Sequence, residues 1–214
     1  MYEMYAVFGG TFDPVHFGHL FPVEALAQQA KLTRVLLLPN NVPPHRPQPE
    51  ASAVQRMNML RYAIRNRPLF EIDSRELMCD TPSWTVATLE VLRNERGPQA
   101  PLGLIIGQDS LLSLSKWYRW QDLLSLSHLL VCKRSGYSVE LGSPEIRRWL
   151  DKHITTQIEQ LHQHPAGFIW MANTPLVNIS ATGIRQRRLQ GLDCNHLLPA
   201  DVFDYINRAG LYLK

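Results

Sequence analysis

Several kinds of sequence signal are scarce or missing in this chain of 214 residues. It has only three cysteines and no CxxC pair, which argues against a disulfide framework and favours a reducing compartment. No apolar run approaches the roughly 18 residues that a membrane-spanning helix needs. The opening MYEMYAVFGG carries an acidic residue where a signal peptide is basic. We therefore expect a cytoplasmic protein that has no membrane partner.

Blocks of like charge are also missing. The 22 basic and 19 acidic residues are spread along the chain and leave a net charge of +3. This balance suits a small anionic ligand and does not require nucleic acid as a partner. Because no internal repeat, low-complexity tract or long linker divides the chain, we expect one domain over residues 1–214.

Short apolar runs alternate with helical patterns along the chain. Continuous apolar runs of this kind are typical of strands buried on both faces of a parallel sheet, and they occur at Tyr5–Phe8, Arg34–Leu38, Leu102–Ile106 and His128–Cys132. Apolar spacing predicts a helix over Gly18–Ala30. Three serines predict the N-caps of further helices: Ser52 (helix to about Arg65), Ser83 (to about Arg96) and Ser180 (helix carrying Ile184 and Leu189).

This alternation predicts an α/β fold, a Rossmann-like parallel sheet flanked by helices on both faces. Ligands of such sheets bind at the carboxyl ends of the strands. The segment Asn40–Glu50 follows the second predicted strand and holds four prolines, so we expect a stiff extended loop there.

A glycine- and histidine-rich segment lies where the first strand meets the first helix. It reads Gly9-Gly10-Thr11-Phe12-Asp13-Pro14, followed by His16-Phe17-Gly18-His19. The glycines allow a phosphate close to backbone N–H groups, and two histidines three residues apart share one helix face. The alternatives are a simple tight turn, a core and a surface histidine, or half of a metal site. A zinc site would need a third ligand, and the sequence offers no HExxH or Cys-His spacing, nor a Walker A or GxGxxG pattern.

A second candidate segment, Ile179-Ser180-Ala181-Thr182-Gly183-Ile184-Arg185, begins the last capped helix. Ser180 and Thr182 offer hydroxyl groups at a helix N-terminus, and Arg185 can contact phosphate with two N–H groups. The alternative is an ordinary capped helix with a solvated basic face, and we keep that interpretation for Arg187 and Arg188.

Taken together, GGTFDPxHxGH and ISATGIR resemble the nucleotidyltransferase superfamily that carries the HxGH signature. Within it, further stretches resemble the bacterial nicotinate-mononucleotide adenylyltransferases, and the resemblance covers roughly the first 190 residues. These stretches are Pro39–Arg46 (PNNVPPHR), Thr81–Thr85 (TPSWT), Ile106–Ser110 (IGQDS) and Trp117-Tyr118. Where the family often has Tyr, this chain has Trp84.

The resemblance implies a role for each matching residue. Thr11, His16, His19 and Arg185 would carry catalysis. The residues implied to bind ATP are Gly9, Gly10, Thr11, His16, His19, Gly107, Asp109, Arg134, Ile179, Ser180, Thr182 and Arg185. Those implied to bind the nicotinate nucleotide are Phe12, Asn40, His45, Arg46, Ser83, Trp84, Thr85, Trp117 and Tyr118.

Three of these roles are specific. Trp117 would stack on the pyridine ring, Asp109 would reach the adenosine ribose, and Arg134 would border the adenine. The alternatives are core aromatic residues for Trp84 and Trp117, a helix cap for Asp109 and a solvated strand end for Arg134.

By the same resemblance, the reaction joins ATP and nicotinic acid mononucleotide to give deamido-NAD and pyrophosphate, a step of NAD biosynthesis. The attacking phosphate is already anionic, so the site needs placement and charge stabilisation rather than a base. Mg²⁺ is expected to arrive with ATP, without protein ligands of its own. The alternative hypotheses are another enzyme of the superfamily, such as a phosphopantetheine adenylyltransferase, and a non-catalytic nucleotide sensor. The oligomeric state stays open.

Overall fold

A computed structural model describes residues 3–42, 47–79, 81, 83–134 and 143–214, with the backbone alone for Arg134. The strands are β1 (Tyr5–Gly10), β2 (Val35–Pro39), β3 (Phe70–Ile72), β4 (Leu102–Gly107), β5 (His128–Arg134) and β6 (Ile169–Thr174). The α-helices are α1 (Phe17–Gln29), α2 (Ala53–Ile64), α3 (Thr85–Arg96), α4 (Gln108–Leu112), α5 (Leu123–Leu126), α6 (Pro144–His153), α7 (Ile158–Gln163), α8 (Ala181–Leu189) and α9 (Ala200–Ala209).

The strands form one six-stranded sheet in the order β3-β2-β1-β4-β5-β6. The pairs β1–β4, β4–β5 and β5–β6 are parallel, with Tyr5 opposite Leu102 and Gly103 opposite His128. Successive residues of β4 face opposite sides of the sheet, and Leu102–Ile106 are all buried. Both faces of the sheet must therefore be covered by other parts of the protein. The predicted α/β fold with a Rossmann-like parallel sheet is confirmed.

Two of the three serine caps are confirmed, and one is wrong. Ser52 accepts the backbone N–H of Gln55, and the Gln55 side chain accepts the N–H of Ser52, which makes a capping box at the start of α2. Ser180 caps α8 through the N–H of Gly183 (3.0 Å). Helix α3, by contrast, begins one residue later than predicted, so Trp84 occupies the N-cap position and makes no side-chain cap bond.

The chain divides into two compact units, each built from three segments. The first unit is Met1–Phe8, Val23–Leu36 and Trp84–Leu176, and its core includes Val7, Leu104 and Leu130. The second is Gly9–Pro22, Leu37–Ser83 and Val177–Lys214, and its core includes Met59 and Ile206. The single domain over residues 1–214 stays a prediction. In the described part of the chain, no helix is long and apolar enough to cross a membrane.

Candidate active site

The glycine loop of the second unit packs around the ring of Phe12. Phe12 is 1% exposed and has a left-handed backbone (φ 53°), which is unusual for a bulky residue. A Cβ atom on Gly10 would lie only 3.0 Å from the Phe12 Cζ atom, so a side chain at position 10 would require the buried ring to shift by a few tenths of an ångström. The carbonyl of Gly10 accepts the backbone N–H of Asn40 (3.0 Å). The loop therefore has one defined path after β1.

The two histidines predicted to bind phosphate stack on each other at the start of α1. Their ring centroids are 3.7 Å apart, and the planes are inclined by 25°. The backbone N–H of His16 donates to His19 Nδ1 (3.2 Å), so a neutral His19 carries its proton on Nε2. The edge of Phe12 packs against the His19 ring (5.0 Å between centroids). The structure thus brings Phe12, His16 and His19 together.

Both imidazoles are poised to be neutral at pH 7. Burial lowers the pKa of His16 to about 4. Burial and the neighbouring His16 lower the pKa of His19 well below its usual value. Two stacked cations would also repel each other at this distance. In this state the pair offers N–H donors rather than positive charge.

The second sequence segment lies against this histidine pair. A Cβ atom built on Gly18 would meet the carbonyl oxygen of Ile179 at 2.7 Å and the His16 ring at 2.8 Å. The absence of a side chain at Gly18 therefore lets the residues before α8 approach the start of α1. Among the described residues, none makes a hydrogen bond with the buried His16 Nδ1 atom.

Arg185 connects α8 to the glycine loop. Its Nη1 donates to the backbone carbonyl of Asp13 (2.7 Å), 172 residues away in the sequence, and its Nη2 donates to Thr182 Oγ1 (3.3 Å). Its Nε lies 3.4 Å from the Glu50 carboxylate. The Arg185 side chain is three-quarters buried. This contact joins the two candidate segments in one cluster.

Arg56, which no sequence motif marks, is a buried neighbour of the glycine loop. It is 3% exposed, and its Nη1 donates to the carbonyls of Thr11 (2.8 Å) and Asn40 (2.9 Å). Arg56 thus ties the glycine loop to the start of the proline-rich segment. Nothing in the local sequence marks it, because an arginine inside a capped helix is ordinarily solvated.

Three aromatic candidates, Trp84, Trp117 and Tyr118, belong to the first unit. The rings of Trp84 and Tyr118 pack with centroids 5.2 Å apart, and both side chains are about half exposed. Trp117 is partly buried. The interpretation of Trp84 as a core residue is therefore wrong, because its ring is too exposed.

The loop after β4 carries Gly107 and Asp109. Gly107 is the N-cap residue of α4, and a Cβ atom there would meet no atom of the described residues within 4 Å, its chain neighbours aside. Asp109 lies in the first turn of α4, so the helix-cap alternative for it is wrong. His45, Arg46 and the Arg134 side chain lie outside the described residues. Within the described ranges, no group of three or more His, Cys, Asp or Glu side chains could hold a metal ion.

Known proteins resemble this chain over nearly its whole length. The family model described as cytidylyltransferase-like matches residues 7–187. The probable nicotinate-nucleotide adenylyltransferase of Pectobacterium atrosepticum is 61% identical over 99% of this chain and 100% of its own length. The chain belongs to the nicotinate-nucleotide adenylyltransferase family. A probable enzyme of this family from Yersinia pestis is 58% identical over 99% of the chain and 96% of its own length.

A solved member supports the fold of this adenylyltransferase chain. The nicotinic acid mononucleotide adenylyltransferase of Plasmodium falciparum, in complex with APC, superposes with a TM-score of 0.71 over 99% of this chain and 98% of that one. At 15% sequence identity the likeness concerns the fold alone. The predictions of the family and of the enzyme class are confirmed, whereas the individual site residues remain predictions.

Proposed function

We propose that this chain transfers the AMP part of ATP to nicotinic acid mononucleotide, giving deamido-NAD and pyrophosphate. The observation that carries the proposal is the hydrogen bond from Arg185 to the Asp13 carbonyl, which joins the two phosphate-binding segments in one cluster. Full-length similarity to enzymes of this name supports the choice of substrates. We also propose a cytoplasmic location, because three cysteines without a CxxC pair suit a reducing compartment.

In this proposal Thr11, His16, His19 and Arg185 hold the phosphates of ATP. The neutral histidines donate N–H groups, and Arg185 supplies positive charge from a partly buried position. Fixed donors of this kind stabilise charge that grows on the departing pyrophosphate. By family resemblance, five further residues of the two motifs line the phosphates. They leave room for the phosphates or offer them backbone and hydroxyl groups: Gly9, Gly10, Ile179, Ser180 and Thr182.

The nicotinate nucleotide is assigned to the residues of the resemblance. Trp117 stacks on the pyridine ring, with Trp84 and Tyr118 as exposed aromatic neighbours of each other. Helix α3 begins at Thr85 with no acidic residue in its first turn, so its N–H groups suit a carboxylate. Phe12, Asn40, His45, Arg46 and Ser83 complete this assignment.

The adenosine part of ATP is assigned to Gly107, Asp109 and Arg134. The open space beside Gly107 leaves room for a ligand to approach the backbone closely. Asp109 is exposed and can accept hydrogen bonds from ribose hydroxyls.

The chemistry needs no covalent intermediate. The anionic phosphate of the mononucleotide attacks the α-phosphorus of ATP in line with the departing pyrophosphate, so configuration at that atom should invert. Mg²⁺ fits this chain as a partner of ATP, because it prefers phosphate oxygens and keeps several waters when it binds. When bound, it would neutralise part of the phosphate charge.

The test is pyrophosphate release from ATP and Mg²⁺ with three acceptors side by side: nicotinic acid mononucleotide, nicotinamide mononucleotide and phosphopantetheine. We expect turnover with the first and a kcat/KM lower by about 10⁴ with the amide, because an amide NH₂ would face N–H donors. Turnover with phosphopantetheine alone would mean another superfamily activity. Nucleotide binding with no pyrophosphate release would mean a sensor.

A further inference from the structure

A buried carboxylate, that of Asp13, organises the backbone beside the glycine loop. Asp13 is 4% exposed, and its Oδ2 and Oδ1 atoms accept the backbone N–H groups of Glu50 (2.9 Å) and Ala51 (3.1 Å). These two residues immediately precede the capped start of α2. A carboxylate that accepts several N–H bonds can hold two chain segments in a fixed register.

The main chain of Asp13 is in turn part of the proposed phosphate site. Its carbonyl accepts the bond from Arg185, whose Nη1 also lies 3.9 Å from Asp13 Oδ2. Three residues later comes His16, whose ring packs on His19. A rotation of Asp13 would therefore move the anchor of Arg185 and the approach to the histidine pair together.

The third donor to this carboxylate comes from near the other end of the chain. The hydroxyl of Tyr212 donates to Asp13 Oδ1 at 2.7 Å, across 199 residues of sequence. Tyr212 is 4% exposed, and burial together with Asp13 raises the pKa of its phenol, so the hydroxyl remains a donor at neutral pH. No sequence motif marks Tyr212.

We propose that Tyr212 is a positioning residue for adenylyl transfer. By donating to Asp13 Oδ1, Tyr212 fixes the Asp13 carboxylate and, with it, the backbone of residues 11–13. That backbone in turn holds the Arg185 guanidinium at the distance from the phosphates of ATP that the reaction requires. Tyr212 itself touches neither substrate. The inference rests on the proposed function, since it assigns Tyr212 to that reaction.

The test compares Tyr212→Phe with Tyr205→Phe. Both changes remove one phenolic hydroxyl from the same compact unit, but the Tyr205 hydroxyl accepts from Asn58 (3.3 Å) and makes no bond to Asp13. At a temperature where both variants are fully folded, we expect Tyr212→Phe to lower kcat about 10-fold to 100-fold with KM for ATP within about threefold, because the site is displaced rather than lost. Tyr205→Phe should keep the wild-type kcat.

A double-mutant cycle with Asp13→Asn separates positioning from a purely structural role. If Tyr212 acts through Asp13, adding Tyr212→Phe to Asp13→Asn should lower kcat by less than about twofold further. Independent losses that multiply would overturn the inference. So would a Tyr212→Phe variant that loses melting temperature but keeps kcat.

A second replacement covers the case in which Tyr212→Phe does not fold. Incorporating 3,5-difluorotyrosine at position 212 keeps the ring and hydroxyl but makes the phenol more acidic. Because burial and Asp13 already raise the pKa of the Tyr212 phenol, the fluorinated hydroxyl should stay protonated and keep donating to Asp13. We therefore expect a kcat within about threefold of the wild type at pH 7, and a kcat lower by about 10-fold or more would overturn the inference. A wild-type enzyme that releases no pyrophosphate overturns the proposed function and this inference with it, whereas normal wild-type turnover with an unaffected Tyr212→Phe variant overturns the inference alone.

Discussion

Replacing Gly18 by alanine sets two effects against each other. Gly18 lies in the first turn of α1 and has no left-handed φ. Helix propensity alone therefore predicts that alanine stabilises the protein by about 1 kcal/mol. The new Cβ atom, however, would lie 2.7 Å from the Ile179 carbonyl oxygen and 2.8 Å from the His16 ring.

The steric effect should win, because one of the two neighbours is backbone. Relieving a contact of 2.7 Å requires a shift of roughly 0.7 Å by the Ile179 segment or by α1. Overpacking of this size costs about 1–3 kcal/mol, so the net loss of stability should be about 1 kcal/mol, or a Tm lower by about 2–4 °C. Since the shift separates His16 from the residues before α8, we expect kcat to fall about 100-fold.

The measurement is pyrophosphate release together with thermal unfolding of Gly18→Ala and wild type. Gly107→Ala is the matched control for stability, because in the described part of the chain a Cβ atom at that position has no neighbour within 4 Å beyond the adjoining residues. A Gly18→Ala variant with a higher Tm than wild type and a kcat within threefold would refute the reasoning. It would mean that the close approach of Ile179 to α1 is not needed for the reaction.

Three further outcomes are expected. His19→Ala should lower kcat about 100-fold to 1000-fold with little change in Tm, as for the loss of one charge-stabilising donor, and a near-normal kcat would contradict that role. Gly107→Ala should keep Tm but raise KM for ATP at least about 10-fold if the ligand fills the open space beside it; unchanged KM would remove Gly107 from the site. The third concerns His128, which is buried and has its pKa lowered to about 4 chiefly by burial. The unfolded chain therefore binds the extra proton between pH 6.5 and 4. His128 alone should thus lower the free energy of unfolding by about 2 kcal/mol as the pH falls from 7 to 5. In urea unfolding, the free energy of unfolding of His128→Gln should fall by about 2 kcal/mol less than that of the wild type between pH 7 and 5. An identical fall in both proteins would contradict the lowered pKa of His128.

The sequence patterns predicted the parts of the fold that depend on local chemistry. The apolar run Leu102–Ile106 and the serine caps at Ser52 and Ser180 are local signals, and each occurs in the structure where expected. Strands β3 and β6 were not predicted. Strand β3 has only three residues, too few for a pattern. Strand β6, in contrast, begins with four consecutive apolar residues, Ile169–Ala172, and so carried a strand signal that could have been recognised.

The candidate site was predictable only in its motifs. His16, His19 and Arg185 came from motifs that resemble a known family, and the structure places them in one cluster within the second unit. Arg56 and Tyr212 were not predictable, because a buried arginine or tyrosine acquires its partners only through tertiary contacts. Ser83 failed as a cap because the backbone turns into the helix one residue later, at Trp84.

The order of strands in the sheet has a consequence for the synthesis of this protein. Strand β1 pairs with β4, and Tyr5 meets Leu102 only after about 100 further residues have been translated. At roughly 5–20 residues per second, one edge of β1 stays open on the ribosome for about 5–20 s. An exposed apolar strand edge is a template for wrong pairing with other nascent chains. We therefore expect the yield of folded protein to depend on translation speed and chaperone supply more than its final stability would suggest.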